Sequence, residues 1–469
     1  MSDAVRNADL LVTGIDWLIT VDATRRIVRD AGIAIAGGKF AAIGKSADIA
    51  AAWRAPRGID ARGHVATPGF VDNHLHASFQ LARGLADEAN AQSFLFDHMY
   101  PYEAQMTRED VFASASFAAL EMLRHGVTCF IDPGNYHPDA TVEAVAATGM
   151  RLVVSRSCFD LTKSVAGILP AKMIETAEAA LDATEAMLAS YGDAHGGRVR
   201  ASACFRGLNN SSDKLILGLR GLADKYRCPL QTHACFSYTT HDGSVAGFGR
   251  PEIERLESLG VIDDRTILVH GGWLEPHEVE ILVRRKPTIV ASPSSSLHNG
   301  YGNIVMGKHP ELLALGVNVS LGSDHACSGI TDMAQEMRLL VGGYKEARLN
   351  PRVMPPEQAI EMATINGARG AGQADRIGSV EVGKEADLVL FDTSFPEWQP
   401  LYNPVSNLVY AATGNSVAHV LVAGEEVVRN FRLAKADEGA IMGEVRAAAQ
   451  RISSRLDMKR VVKLKWPVE

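Results

Sequence analysis

The fold of this chain is decided by one stretch, Thr67-Pro68-Gly69-Phe70-Val71-Asp72-Asn73-His74-Leu75-His76-Ala77. An apolar run follows a Pro-Gly turn and predicts a short buried strand, and two histidines stand at its end. Because side chains on a strand alternate between its two faces, His74 and His76 are expected to point the same way. Imidazole nitrogens are common metal ligands, so the spacing is typical of a metal site, although two hydrogen-bonded surface histidines can share it.

Strand-like apolar runs alternate with helix-length stretches through the middle of the chain. Eight such runs occupy residues 66–76, 127–132, 151–158, 199–205, 230–235, 266–270, 288–292 and 317–324. This alternation predicts an α/β fold with a parallel sheet, and a (β/α)8 TIM-like barrel is its most economical arrangement. An open doubly wound sheet is the alternative, but no Gly-rich phosphate fingerprint follows any of the runs.

Both ends of the chain carry short segments of β character. They fall within residues 8–60, with a Gly-Gly-Lys turn at 37–39, and within residues 386–391 and 417–428. We predict that the two ends pair into one small β-sandwich beside the barrel. The predicted domains are the two sandwich parts 1–64 and 376–432, the barrel 65–375, and a C-terminal helix and tail 433–469.

Composition narrows the classes of partner. The net charge is −8 and no basic stripe is present, so a small-molecule substrate is expected and nucleic acid or a membrane surface is not. No apolar run reaches the ~18 residues of a membrane span, and the first residues do not resemble a signal peptide. Six cysteines without Cys-x-x-Cys spacing are typical of reduced thiols. We expect a cytoplasmic protein whose C-terminal helix, 439–456, lies on the surface or at a contact within a homodimer or larger homo-oligomer.

The carboxyl ends of barrel strands are where catalytic groups are expected. His74 and His76 end the first run, His233 lies at the end of the fifth, His270 ends the sixth and Asp324 ends the eighth. Any one of them could be a structural histidine or a turn acid. Their common place on one rim predicts a site for one divalent metal ion.

With these residues in view, the chain resembles the amidohydrolase superfamily, particularly its cytosine deaminase, triazine hydrolase and adenosylhomocysteine deaminase branch. The resemblance covers roughly residues 8–430 and is carried by residues 68–76, Thr232-His233, Val269-His270, Leu321-Gly322-Ser323-Asp324 and 378–389.

The resemblance implies roles for the rim residues. It implies that His74, His76, His233 and Asp324 bind the metal and that His270 contacts the bound water or the substrate. Some family members bridge two metals with a lysine on the fourth strand, which has none here, so a single ion is implied. Zinc is expected, with iron, cobalt or manganese as alternatives.

One position departs from the family pattern. Deaminases of this branch usually place a glutamate three residues after the fifth-strand histidine, where it protonates the substrate ring, but Phe236 occupies that position. Either another group, among His241, His277, His298 and His325, carries this proton, or the substrate does not need it. The second reading favours cleavage of an amide, carbamate or urea-type bond.

We therefore predict a metal-dependent amidohydrolase that cleaves a non-peptide C–N bond of a small cyclic or aromatic molecule. The ion would lower the pKa of its water to around 7, Asp324 would act as general base and acid, and His270 would stabilise the developing oxyanion. The alternatives are a deaminase or dechlorinase of a purine, pterin, pyrimidine or triazine, and a non-catalytic metal-binding scaffold.

Residues that follow the strands are expected to contact the substrate, because barrel loops form the pocket. The predicted substrate-binding residues are His270, Gln80, Phe236, Trp273, His298 and His325.

Overall fold

The middle of the chain forms parallel β-sheet in the computed structural model, which describes residues 5–164, 167–325, 329, 331–457, 462 and 464–468. One sheet contains the strands Phe70–Asp72, Val127–Ile131, Arg151–Val154 and Val199–Ala201. A second contains Ala203–Gly207, Leu230–Ala234, Thr266–His270, Thr288–Ala291 and Asn318–Leu321. Every pairing within the two sheets is parallel, as the strand–helix alternation predicts.

The two parallel sheets are continuous through the fourth predicted strand. Its first half, Val199–Ala201, pairs with the third strand, and its second half, Ala203–Gly207, pairs with the fifth. At the other edges, Asn73 N donates to Leu321 O at 3.0 Å and Asp324 N donates to His74 O at 2.8 Å. These bonds bring the carboxyl ends of the first and last strands together.

The first predicted strand is divided in two. His64–Pro68 belongs to a different sheet, and Phe70–Asp72 begins the parallel set. At the division, a Cβ on Gly69 would lie 2.1 Å from Thr128 Oγ1, so only glycine fits. Because the strand ends at Asp72, the expectation that strand alternation aligns His74 and His76 is wrong.

Both ends of the chain contribute to one nine-stranded sheet. Its strands are Leu10–Ile19, Ile27–Ala36, Lys39–Lys45, Arg57–Asp60, His64–Pro68, Leu388–Asp392, Val417–Val422, Glu425–Arg429 and Arg432–Leu433. His64–Pro68 lies between the ends, pairing with Leu10–Ile19 on one side and Leu388–Asp392 on the other. Both ends of the chain are therefore part of one sheet, and the predicted sandwich stays a prediction. Smaller pairs join Arg6–Asn7 to Trp53–Arg54 and Lys163–Ser164 to Gly167–Ile168.

Helices surround the parallel strands, and several begin at a side-chain cap. Thr107, Ser212 and Asp332 each accept a hydrogen bond from a backbone N–H in the first turn. The α-helices within the described residues are Ser46–Ala52, Ala91–Ser93, Tyr100–Glu103, Arg108–Arg124, Pro138–Thr148, Ala177–Tyr191, Asp213–Tyr226, Tyr238–Phe248, Glu252–Ser258, Pro276–Arg285, Pro293–Asn299, His309–Ala314, Met333–Ala347, Pro356–Met362, Ile365–Gly370, Pro404–Tyr410 and Glu438–Arg455.

The C-terminal helix, Glu438–Arg455, is held against the helix Arg108–Arg124. Arg455 Nη2 and Arg451 Nε lie 2.6 and 3.3 Å from the carboxylate of the buried Asp110. Among the helices of the described residues, none is both long enough and apolar enough to span a bilayer.

The described cysteines are buried and free of disulfides, which agrees with the predicted reduced thiols. They are Cys129, Cys158, Cys204, Cys228 and Cys235. Cys327 lies outside the described residues.

Candidate metal centre and substrate pocket

Three histidines and one aspartate converge beyond the carboxyl ends of the parallel strands. One ligand atom from each of His74, His76, His233 and Asp324 lies within 4.8 Å of the others. His74 Nε2 is 3.2 Å from Asp324 Oδ1, and His76 Nε2 is 3.3 Å from His233 Nε2. Nitrogen and carboxylate ligands in this number suit zinc or a similar divalent ion.

The protonation of the imidazoles fits metal binding. Burial lowers the pKa of both His76 and His233 well below its usual value, so both rings are neutral at pH 7. His233 Nδ1 lies 2.7 Å from Arg206 O, and since a carbonyl only accepts, the ring hydrogen is on Nδ1. The lone pair of His233 Nε2 therefore faces His76. His74 Nε2 is buried and lies beside the Asp324 carboxylate, so it too is placed to bind a cation.

Asp324 and His270 carry the charge states that the predicted chemistry requires. Burial alone would raise the pKa of Asp324, but the hydrogen bond from His74 and the neighbouring imidazoles hold that pKa well below its usual range. Ser295 Oγ donates to Asp324 Oδ2 at 2.7 Å. Burial lowers the pKa of His270 to about 4, and its Nε2 lies 3.7 Å from Asp324 Oδ2. An ionised carboxylate thus stands beside a neutral imidazole.

The backbone is strained at three strand ends around this centre. His270, Asp324 and Cys235 have φ values of +83°, +49° and +55°. Side chains with a Cβ rarely occupy this region, at a cost of about 1–3 kcal/mol each. Such strain is concentrated at functional sites, because surrounding contacts hold the residues in place.

A pocket lies beside three of the converging side chains, those of His76, His233 and Asp324. Its aromatic lining consists of Phe79, Phe94, Phe96, Tyr100, Phe236 and Tyr301. His76, His233, His270 and Asp324 add polar atoms to the lining, and Arg206 and Glu252 add two further ionisable side chains. Aromatic walls around a few polar groups are the character of a small-molecule site.

Of the predicted substrate-binding residues, His270 and Phe236 line this pocket. The ring of Phe236 packs 5.5 Å from that of His270 and 5.4 Å from that of Tyr301. The position where the family usually carries an acid is therefore part of an aromatic wall.

The other four predicted contacts are not among the described residues that line the pocket. The Gln80 amide donates to His76 O and His325 O, and Trp273 Nε1 donates to Tyr301 O. His298 lies 3.3 Å from Asp87, and the buried His325 lies 3.3 Å from Glu336. These side chains are therefore engaged by other parts of the protein.

Sequence reasoning did not find Arg206 or Glu252. Arg206 lies on the strand Ala203–Gly207, where a charge within an apolar run was the available signal. Glu252 begins a helix, and its carboxylate accepts the Cys235 N–H at 2.8 Å. Burial raises the pKa of Glu252 to about 7. Among the described residues, Glu252 lines the pocket, whereas His241, His277, His298 and His325 do not.

This donor set, at the carboxyl ends of parallel strands and next to an aromatic pocket, is the arrangement of a metal-dependent hydrolase. The chain belongs to the amidohydrolase family, whose model matches residues 65–427. The predicted family and the predicted class, a hydrolase acting on C–N bonds other than peptide bonds, are confirmed.

Relatives extend over nearly the whole chain. A 5-methylthioadenosine/S-adenosylhomocysteine deaminase from Syntrophobacter fumaroxidans is 32% identical over 446 residues, covering 95% of this chain and 98% of the relative. The crystal structure of an adenosine deaminase from Xanthomonas campestris with bound zinc matches with a TM-score of 0.87 and 26% identity, covering 96% of this chain and 100% of that one. An atrazine chlorohydrolase from Arthrobacter aurescens TC1 complexed with zinc shares the fold, with a TM-score of 0.85 at 24% identity over 94% of this chain and 100% of that one.

Proposed function

We propose that the protein is a metal-dependent aminohydrolase that replaces an exocyclic amino group of a planar nitrogen heterocycle with oxygen and releases ammonia. The observation that carries this proposal is the ionised Asp324 beside the neutral His270, with His74, His76 and His233 converging on the same point next to an aromatic pocket. The deaminase activity named for relatives of this chain supports it. The metal is proposed to be zinc, as in the zinc-bound structural relatives.

The closed barrel and the assembly are also proposals, because the strand pairings by themselves do not establish them. We infer that the two parallel sheets close into one (β/α)8 barrel, because the first and eighth strand ends are hydrogen-bonded to each other. The β-sandwich, the domain boundaries 1–64, 65–375, 376–432 and 433–469, the cytoplasmic location and the homo-oligomeric state stay predictions.

Each side chain has a step in the proposed reaction. An ion held by His74, His76, His233 and Asp324 would lower the pKa of a coordinated water into the neutral range. Asp324 accepts the proton as the water oxygen bonds to the ring carbon, and it returns that proton to the departing amino group. His270, neutral and buried, orients the attacking oxygen by hydrogen bonding.

Protonation of the ring nitrogen requires a group other than Phe236. We propose Glu252 for this step, because the residue lines the pocket and, with a pKa of about 7, exchanges its proton at neutral pH. Replacement by glutamine should lower the turnover of amino-heterocycles by roughly 10²–10⁴-fold, the usual contribution of such a group.

Cleavage of an amide, carbamate or urea-type bond is the second candidate. The aromatic wall made by Phe236 favours it, since Asp324 alone can deliver the proton to an amide leaving nitrogen. In this case Glu252→Gln should leave turnover of the true substrate within a few-fold of the wild type.

The test is a product screen of metal-loaded protein with amino-heterocycles, amides, carbamates and ureas. Ammonia release from amino-heterocycles, abolished in Asp324→Asn assayed at saturating metal concentration, is the expected result. Turnover confined to amides or ureas would select the second candidate. Activity retained by metal-loaded Asp324→Asn would remove the mechanism, and Asp60→Asn, exposed on the nine-stranded sheet, is the matched control.

A further inference from the structure

The strained backbone at His270 is held by a buried hydrogen bond. The φ of His270 is +83°, a value that residues with a Cβ rarely adopt. Its carbonyl oxygen accepts a hydrogen bond from His309 Nε2 at 2.6 Å. His270 and His309 are 2% and 1% exposed, so water does not compete for this bond. His309 therefore supports the end of the sixth strand in a conformation that needs support from its surroundings.

A tyrosine fixes the tautomer of His309. Burial lowers the pKa of His309 to about 4, so its ring is neutral at pH 7 and carries one hydrogen. Because a carbonyl oxygen only accepts, that hydrogen is on Nε2, and Nδ1 is left as an acceptor. The hydroxyl of the fully buried Tyr344 lies 2.6 Å from Nδ1 and supplies the hydrogen of this contact. Asn303 O, at 3.1 Å, is the more distant of the two acceptors near the hydroxyl.

The ring of His270 has few other constraints on its direction. Within the described residues, its Nδ1 has no hydrogen-bond partner, and its Nε2 is 3.7 Å from Asp324 Oδ2. The rings of Phe236 and Tyr301 pack against it, with centroids 5.5 and 6.0 Å away. Packing of this kind limits the space of the ring but supplies no directed bond. The direction of Nε2 therefore depends on how the His270 backbone is held.

We propose that His309 and Tyr344 are positioning residues, which hold the carbonyl of His270 and thereby aim its ring at the attacking oxygen. His309 begins the helix His309–Ala314, and Tyr344 lies in the helix Met333–Ala347. Neither is among the described residues that line the pocket, so both act through His270. This inference rests on the proposed function and adds the residues that keep His270 in place.

The first test compares two replacements of His309 that differ in the donor. Leucine fills the space without an N–H group, whereas glutamine keeps one. With metal-loaded protein and an amino-heterocycle that the wild type deaminates, His309→Leu should lower kcat roughly 10- to 100-fold and leave KM within about two-fold. His309→Gln should restore kcat to within a few-fold of the wild type. Equal values of kcat in the two folded variants would overturn the proposal.

A matched control separates positioning from stability alone. His125 Nδ1 lies 2.7 Å from Thr331 O, and His125 is not among the described residues that line the pocket. His125→Leu should lower Tm as His309→Leu does, yet keep kcat. A loss of kcat in both variants that follows the loss of Tm would show that His309 has only a structural role.

Tyr344→Phe tests the pair with the smallest change, because it removes one hydroxyl and keeps the ring. It should lower kcat by roughly 10-fold at unchanged KM, since His309 Nδ1 loses its donor. Tyr226→Phe, which removes a hydroxyl 3.3 Å from Glu185, should keep kcat. Wild-type kcat in Tyr344→Phe would overturn the proposal.

Nuclear magnetic resonance of zinc-loaded protein with ¹⁵N-labelled histidine keeps this inference apart from the proposed function. His309 should show hydrogen on Nε2 in the wild type, and the ring signals of His270 should shift in Tyr344→Phe and in His309→Leu. Such shifts support the positioning role even if no amino-heterocycle is deaminated. Unmoved His270 signals in both variants would overturn it even if ammonia release is confirmed.

Discussion

His233 Nδ1 lies 2.7 Å from the carbonyl oxygen of Arg206, so the backbone of one strand orients a metal ligand on the next. The contact leaves His233 Nε2 with its lone pair, 3.3 Å from His76 Nε2. The same residue, Arg206, also lines the pocket. The strand Ala203–Gly207 therefore contributes both to the candidate metal centre and to the pocket wall.

Removing the ion should abolish turnover and lower thermal stability. Without a cation, the converging nitrogens and the Asp324 carboxylate lose their common partner, whereas an ion at 100 times its Kd stabilises the fold by about 2.7 kcal/mol. Treatment with a chelator should lower Tm and activity, and one equivalent of zinc should restore both. His233→Gln should lose the ion, while His277→Gln, exposed on a surface helix, should keep it. Full activity in protein shown by elemental analysis to be free of metal would contradict the site.

Gln80→Leu should weaken metal binding without touching a ligand. The Gln80 amide donates at 3.0 Å to the carbonyls of both His76 and His325, and leucine leaves these two buried acceptors without their donor. We expect a loss of metal affinity of roughly 10- to 100-fold, as is usual for groups that orient ligands. Titration against a competing chelator measures it, with Gln450→Leu on the exposed C-terminal helix as the control. Equal affinity in the two variants would mean that Gln80 does not position His76.

Glu252→Gln should change how stability depends on pH. Burial raises the pKa of Glu252 from 4.5 to about 7, and the neighbouring Glu278 adds to the shift. A carboxyl group whose pKa rises on folding stabilises the protein below its unfolded-state pKa, and that contribution is lost as the pH rises through the folded value. Between pH 5 and 8, the wild-type free energy of unfolding should therefore fall by up to about 3 kcal/mol more than that of Glu252→Gln.

Urea unfolding at four pH values measures this difference. Glu254→Gln, on the same helix with its side chain 41% exposed, should follow the wild type. Parallel stability curves for Glu252→Gln and the wild type would show that the Glu252 carboxyl does not titrate near neutrality.

Gly69→Ala should destabilise the junction between the two kinds of sheet. The new Cβ would meet Thr128 Oγ1 at 2.1 Å, and overpacking of a core costs typically 1–3 kcal/mol. Gly221→Ala is the matched control, because Gly221 lies in the helix Asp213–Tyr226 with open space around its Cβ position. That control should be stabilised by about 0.5–1 kcal/mol. Thermal unfolding of both variants decides between these directions, and equal Tm values would contradict the steric argument.

Local pattern was sufficient to find the four residues that converge at the candidate metal centre. Apolar runs mark strands, and few residue types bind a divalent ion, so His233 and Asp324 stand out wherever a run ends. Strand alternation, however, was the wrong reason for expecting His74 and His76 to lie together. Their strand ends at Asp72, and the loop that follows it brings the two rings into contact.

The direction of each pocket side chain was decided only by the tertiary structure. Four of the predicted contact residues follow strands as predicted, but each side chain contacts another part of the chain and does not line the pocket. They are Gln80, Trp273, His298 and His325. Arg206 and Glu252 enter the pocket because Glu103 and Cys235 hold them there. The sequence by itself determined the strand–helix order and the ligand set, since both depend on spacing and residue type along the chain. Which side chains face the substrate depends on contacts between residues far apart in sequence, and no local spacing encodes them.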